Sequence, residues 1–168
     1  EPLFGRTQPP TLGSETQRLK IAEVINGFVS DIEAKNEEAN VVVLGDLNDF
    51  EFSAPLQKLK GEELTNLIET LPANERYTYS YQGNAQVLDH MLVSNRLADQ
   101  AEFDIVNFNS PYMEEHGRAS DHDALVAQLD LNAQQEPEEP KDFDLSILHT
   151  NDSHAHVEQY PRLVTALD

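Results

Sequence analysis

The stretch VVVLGDLNDFEFSAPL, residues 41–56, decides how the rest of the chain is read. Val41 to Leu44 is a continuous, β-branched apolar run, the pattern of a strand buried on both faces. It stops at a cluster of acids and amides, Asp46, Asn48 and Asp49, in a chain whose formal net charge is already −20. If the strand continues through Asn48, its period of two puts Asp46 and Asn48 on the same side. A carboxylate there can polarise a water or hold a cation, and an amide can donate to a phosphate oxygen. A strand end followed by an Asp/Asn turn accounts for the same residues without any chemistry.

Before this stretch, residues 1–14 are rich in Pro, Gly and Thr and read as a loop. Ser14 and Gln17 have the spacing of a capping box. Leu19, Ala22, Ile25, Val29 and Ile32 then recur at helical spacing, joined by Phe28, which predicts an amphipathic helix over 15–36 ended by the acidic segment Glu33 to Asn40. After it, Leu56, Leu59, Leu64, Leu67 and Ile68 suggest short helical pieces. Tyr77 to Tyr81 and Val87 to Val93 read as strands with Gln82-Gly83-Asn84 as the turn between them. Phe103 to Phe108 and Ala124 to Leu131 supply further strands. One long helix with strands at hairpin-like spacing predicts an α+β fold, a mainly antiparallel sheet with helices on one face.

Residues 132–142 (NAQQEPEEPKD) are an acidic linker. Phe143 to Thr150 starts a new strand pattern, and the last residues read as the opening of a second, incomplete domain, since so short a piece cannot bury a core. The organisation expected is therefore 1–131, a linker at 132–142, and a domain start at 143–168.

Composition narrows the function. With 39% apolar residues the chain is globular rather than disordered. No apolar run has the length of a membrane span. The start Glu1-Pro2-Leu3 carries no signal peptide and is read as a cut from a longer protein. The absence of Cys excludes disulfides and thiolate metal sites. Strong negative charge argues against nucleic-acid binding by broad phosphate neutralisation. An acidic nuclease stays open if divalent cations supply positive charge locally, and acidity for solubility alone is equally compatible.

Two more constellations sit beside apolar strands. In VLDHMLV, residues 87–93, Asp89 is an acid in an apolar strand and needs a partner, for which a His from elsewhere or a loop amide would serve. His90, one residue on, faces the other way and reads as structural or surface. In ASDHD, residues 119–123, the neighbouring Asp121 and His122 can divide labour, the carboxylate on a cation and the imidazole on a phosphate; a polar turn is the plain alternative.

Taken in order, GDLN (45–48), LDHMLVS (88–94) and SDH (120–122) resemble the endonuclease/exonuclease/phosphatase superfamily, over roughly residues 1 to 131. The resemblance implies half of a four-layer α/β/β/α sandwich and metal-dependent phosphodiester hydrolysis. It gives Asp46 the role of activating water and Asn48 that of binding phosphate. Asp89 would orient His122, His122 would stabilise charge on the scissile phosphate, and Asp121 would help hold Mg²⁺, or Ca²⁺ or Mn²⁺. Members of that family begin with a first half carrying an Asn, a Glu and a His of the site, and none of it precedes Glu1 here. These residues alone are therefore expected to be weakly active or inactive.

In the tail, Asp152 and His154 follow the strand pattern of Phe143 to Thr150 as an Asp-x-His pair. With His149-Thr150-Asn151 before them they resemble the opening of a calcineurin-like metallophosphatase of the 5′-nucleotidase type. That resemblance implies a dinuclear Zn²⁺ or Mn²⁺ site whose remaining ligands are absent. Together the two resemblances imply a nuclease acting on DNA or RNA, fused to a nucleotide phosphatase, in an extracellular or cell-wall-associated bacterial protein. A sphingomyelinase-like phosphoesterase and a non-catalytic binding module with the same fold are the alternatives.

Overall fold

The computed structural model describes residues 8, 9 and 11–131. The linker, the strand pattern of 143–150 and the pair Asp152 and His154 lie outside the described residues.

Helix α1 runs Glu15–Lys35, one residue short of the expected end, where the Asn36 N–H bonds the Ile32 carbonyl. The predicted capping box does not form. Ser14 already has helical backbone angles, its side chain makes no cap bond, and its carbonyl accepts from Gln17 and Arg18 instead. Strand β1, Val42–Asp46, is only half-buried along its length. The reason is its place at the edge of a three-stranded antiparallel sheet with β5 (Asp89–Ser94) in the centre and β2 (Leu64–Asn66) on the far side. Helix α2, Ala54–Lys60, is capped by the Ser53 hydroxyl, which accepts from the Leu56 N–H. Leu64 belongs to β2 rather than to a helical piece, and Leu67–Thr70 is a short 3₁₀ turn.

The side chains of the central strand alternate between two cores. Leu92 packs with Ala22 and Val29 of α1, Leu56 and Leu59 of α2, and Leu64, joined by Val43. Val93 points the other way, to Leu67 and Leu97, joined by Val42, Met91, Phe103 and Ala127. Phe103 and Ala127 come from an antiparallel ribbon of β6 (Glu102–Val106) and β7 (Ala124–Gln128). Leu97 lies on α3, the single turn Asn95–Ala98. Helices α1 and α2 thus cover one face of the small sheet, and the β-ribbon with α3 covers the other, the mixed α/β arrangement with antiparallel pairing that the strand spacing predicted.

The turn at Gln82-Gly83 is where the sequence places it, but its strands differ. Tyr79–Tyr81 (β3) pairs with Asn84–Gln86 (β4), and the Asp89–Ser94 strand goes to β1 and β2. Phe28 is also corrected: it is 65% exposed, beside the equally open Ile21 and Val24 on the side of α1 away from the core.

Candidate active site

The antiparallel register of β1 and β5 sets Asp46 directly opposite Asp89, and Gly45 opposite His90. Gly45 has φ +147, a value that favours glycine, and no heavy atom crowds it, so backbone conformation alone accounts for the residue. Two carboxylates facing each other across a ladder repel. Positive charge comes from the third component: His122, on the loop before β7, donates its Nδ1–H to Asp89 Oδ2 at 2.6 Å. One ligand atom from each of Asp46, Asp89 and His122 falls within 4.8 Å of the others.

Each member of the trio is held by its surroundings. Asp89 is buried, and its Oδ2 also accepts the Thr78 hydroxyl at 2.7 Å. That hydroxyl oxygen receives the N–H groups of Leu88 and Asp89 in turn, at 3.2 and 3.3 Å. His122, 7% exposed, bridges to Tyr79 in the backbone and carries the Tyr79 ring against its imidazole at 4.8 Å between centroids. Its N–H bonds Ser120 Oγ, and its carbonyl accepts from Asn109 Nδ2.

The protonation of His122 follows from this setting. Burial is the largest influence and opposes the charged ring, but the Asp89 hydrogen bond and the charges of Asp89, Asp46 and Asp121 together outweigh it. Its pKa lies above the ordinary histidine value. With Nδ1 engaged by Asp89, Nε2 is the second donor of an imidazolium.

The GDLN loop departs from the simple strand reading. β1 ends at Asp46, and Asn48 takes a left-handed conformation with φ +49, which Asn tolerates better than most residues. The two side chains nevertheless meet: Asp46 Oδ1 accepts the Asn48 N–H at 2.9 Å, and Asn48 Nδ2 donates to Asp46 Oδ2 at 3.2 Å. Asn48 is exposed, and Asp49 behind it is buried. Arg18 of α1 clamps the loop by donating to the Asn48 carbonyl at 3.1 Å and pairing with Asp49 Oδ2 at 2.7 Å. From the opposite side His90 Nε2 donates to the Asp49 carbonyl at 2.8 Å, while His90 Nδ1 accepts from the Asn66 amide at 3.0 Å. His90 is fully buried, and burial, partly offset by its Asp49 bond and nearby acids, pushes its pKa down. The structural reading of His90 therefore holds and the surface reading does not.

Asp121 is half-buried and its charge reaches both His122 and Tyr79, but the close trio is made by Asp46, Asp89 and His122. The next acid, Asp123, received no role from sequence reasoning, yet it organises this corner. It is 4% exposed; Oδ1 accepts the N–H groups of Asn109 and Ser110, and Oδ2 accepts the Asn107 amide and the Ser110 hydroxyl. Thr78, Tyr79 and Arg18 were also missed. The signal available for Asp123 was an ionisable group opening an apolar strand, the same signal that singled out Asp89.

Carboxylate oxygens suit a hard divalent cation. Asp46 and Asp89, facing each other, offer carboxylate oxygens of the kind such an ion takes, and the charge of Asp121 reaches the His122 imidazole.

No curated protein matches the chain at significant similarity. Among solved structures, truncated Caenorhabditis elegans TDP2 has a similar fold, with a TM-score of 0.53 at 19% identity over 71% of this chain. The chain spans about half of that structure, 51%. The family model described as Endonuclease/Exonuclease/phosphatase family matches residues 10–123, which include the GDLN, LDH and SDH segments and their positioning residues Arg18 and Thr78; the chain belongs to that family.

Proposed function

We propose that this chain supplies the phosphate-activating half of a metal-dependent phosphodiesterase acting on nucleic acid. The observation that carries the reading is the hydrogen bond from His122 to Asp89 beside the Asp46 carboxylate. Asp89 holds the imidazole with Nδ1 inward, and the charged ring offers Nε2 to a non-bridging phosphate oxygen, where negative charge grows as phosphorus is attacked. Asp46, braced by its own loop, orients the attacking water and accepts its proton. The Asn48 amide, exposed next to Asp46, donates to a second phosphate oxygen. Asp121 would help hold a divalent cation such as Mg²⁺, which would supply charge neutralisation at the phosphate.

The family match supports phosphoester chemistry; the choice of nucleic acid over a phospholipid rests on the tail residues, whose resemblance is to a nucleotide phosphatase. On the same sequence grounds we propose the layout 1–131, 132–142 and 143–168, with Asp152 and His154 opening a phosphatase site for nucleotides and the whole protein placed outside a bacterial cell.

Two measurements test the reading. His122→Ala and Asp46→Asn in the full-length protein should each lower phosphodiester hydrolysis by roughly two to four orders of magnitude. Asp89→Asn should lower the His122 pKa seen by NMR, a readout independent of turnover. An unchanged His122 titration in Asp89→Asn overturns the proposed orientation, and full hydrolysis in Asp46→Asn overturns the site. A binding module would keep its ligand in all three variants.

A further inference from the structure

One group of side chains beside the site is used by neither the core nor the proposed chemistry. Tyr79 and Tyr81 lie two residues apart on β3, so both rings stand on one face of the β3–β4 hairpin. They are nearly parallel, 10° between planes and 6.5 Å between centroids. Tyr79 in turn lies against His122 at 4.8 Å. The result is an aromatic row that starts at the imidazole and ends at Tyr81, whose surface is 52% exposed. Tyr81 contributes to none of the buried clusters, so burial does not account for a large ring at this position. Charges of both signs reach the Tyr79 hydroxyl, Asp121 more strongly than Arg118, whose guanidinium donates to the Tyr112 carbonyl at 3.0 Å.

We propose that Tyr79 and Tyr81 form a subsite for an unpaired nucleobase next to the phosphoryl site, which selects single-stranded nucleic acid. The inference rests on the proposed function and names its substrate class. A base continues the row on the outer face of Tyr81, whose surface is 52% exposed. A base inside a duplex is stacked on its neighbours and cannot present a free face, whereas an unpaired one can. Charge supports the same choice. A chain of net charge −20 repels polyphosphate, so affinity has to come from stacking and a few local cations. Binding should then weaken only slightly with added salt, because few counterions are released and the same salt screens the repulsion.

The test is a fluorescence anisotropy titration of the full chain in EDTA, which removes turnover. The probes are a labelled oligothymidylate, an abasic oligomer of equal length and the oligothymidylate duplex. Tyr81→Ala should bind the oligothymidylate roughly five- to a hundredfold more weakly, the range set by one base stacked on one aromatic ring. Tyr81→Phe, which keeps the ring, should restore binding. The unaltered chain should bind the abasic oligomer about as weakly as Tyr81→Ala binds the oligothymidylate. Equal affinity of Tyr81→Ala and the unaltered chain overturns the subsite, as does tight binding of the duplex. A Tyr81→Ala loss of equal size on the abasic oligomer also overturns it, since no base is there to stack. The two readings fail separately. Hydrolysis that survives Asp46→Asn removes the proposed site while the titrations still decide the subsite. Hydrolysis that needs Asp46, with no effect of Tyr81→Ala on oligothymidylate binding, removes the subsite alone.

Discussion

Replacing Asp123 by Ala should destabilise the chain more than any change among its surface acids. The carboxylate is buried at 4% exposure and receives four donors, two from the backbone of Asn109 and Ser110 and two from the side chains of Asn107 and Ser110. The hydroxyl can rotate to another acceptor and the Asn107 amide also reaches the Tyr77 carbonyl, so these two adapt. The backbone N–H groups cannot, and each costs about 1–3 kcal/mol when left buried without an acceptor. Water entering the vacated space returns part of this, and the desolvation penalty of the carboxylate disappears, so a net loss of about 3–5 kcal/mol is expected. Asp123→Asn keeps one oxygen for the two N–H groups but turns an NH₂ toward the Asn107 amide, and should lose about 1–3 kcal/mol. Urea unfolding followed by the near-ultraviolet circular dichroism of the tyrosines measures both. At an m-value of roughly 1–3 kcal/mol/M, the Ala midpoint should fall by at least about 1 M. A shift worth less than about 0.5 kcal/mol would refute the structural role assigned to Asp123. His122 should respond as well, because the Asp123 N–H bonds the Thr78 carbonyl and the Asn109 amide holds the His122 carbonyl.

Three other outcomes are expected. His90 is neutral in the fold because burial lowers its pKa, so its contribution to stability is complete above the ordinary value of 6.5 and is lost as pH falls below it, when the unfolded chain takes up the proton. Unfolding midpoints measured across pH 5–7 in the unaltered chain and in His90→Gln should show this acid-side slope only in the former. Gly61→Ala should cost about 1–3 kcal/mol in the same assay: φ is +53, and the added Cβ would lie 2.5 Å from both Asn26 Nδ2 and Glu63 Oε2, breaking a bond that ties α1 to the segment before β2. Arg18→Gln should lower turnover of a phosphodiester by about tenfold or more with a stability change below about 1.5 kcal/mol, because its guanidinium holds the carbonyl of Asn48 and the carboxylate of Asp49; equal losses in activity and stability would contradict that division.

Local periodicity carried much of the fold. The apolar spacing in α1 predicted its extent to one residue, and the alternation in β5 follows from having a core on each face. At the site, ligand atoms of Asp46, Asp89 and His122 lie close together and the Asn48 amide bonds Asp46, while the roles of these residues rest on the resemblance of the three motifs. What was not legible is what depends on partners distant in sequence. The span from Tyr77 to Val93 reads as one hairpin, yet Asp89–Ser94 is drawn to β1 and β2 because Leu92 and Val93 bury more apolar surface there than a two-stranded ribbon offers. Phe28 fits a helical pattern at its edge, and only the position of α2 decides that Val29 is buried and Phe28 is not. Asp123 looks like Asp121 in the sequence; the loop at 107–110 that delivers its four donors is invisible until the β6–β7 ribbon closes.

The pairing of β1 with β5 has an evolutionary corollary. Because the two acids are neighbours across a backbone ladder, their separation is metered by main-chain hydrogen bonds and is indifferent to the length of chain that joins them. Residues can be gained or lost at the Gln82-Gly83 tip without retuning the distance between the carboxylates. A single residue inserted between Val42 and Asp46 would instead swing one acid to the opposite face and silence the pair at once. Lineages carrying this chain should therefore vary freely at that hairpin tip while keeping the five-residue strand at constant length.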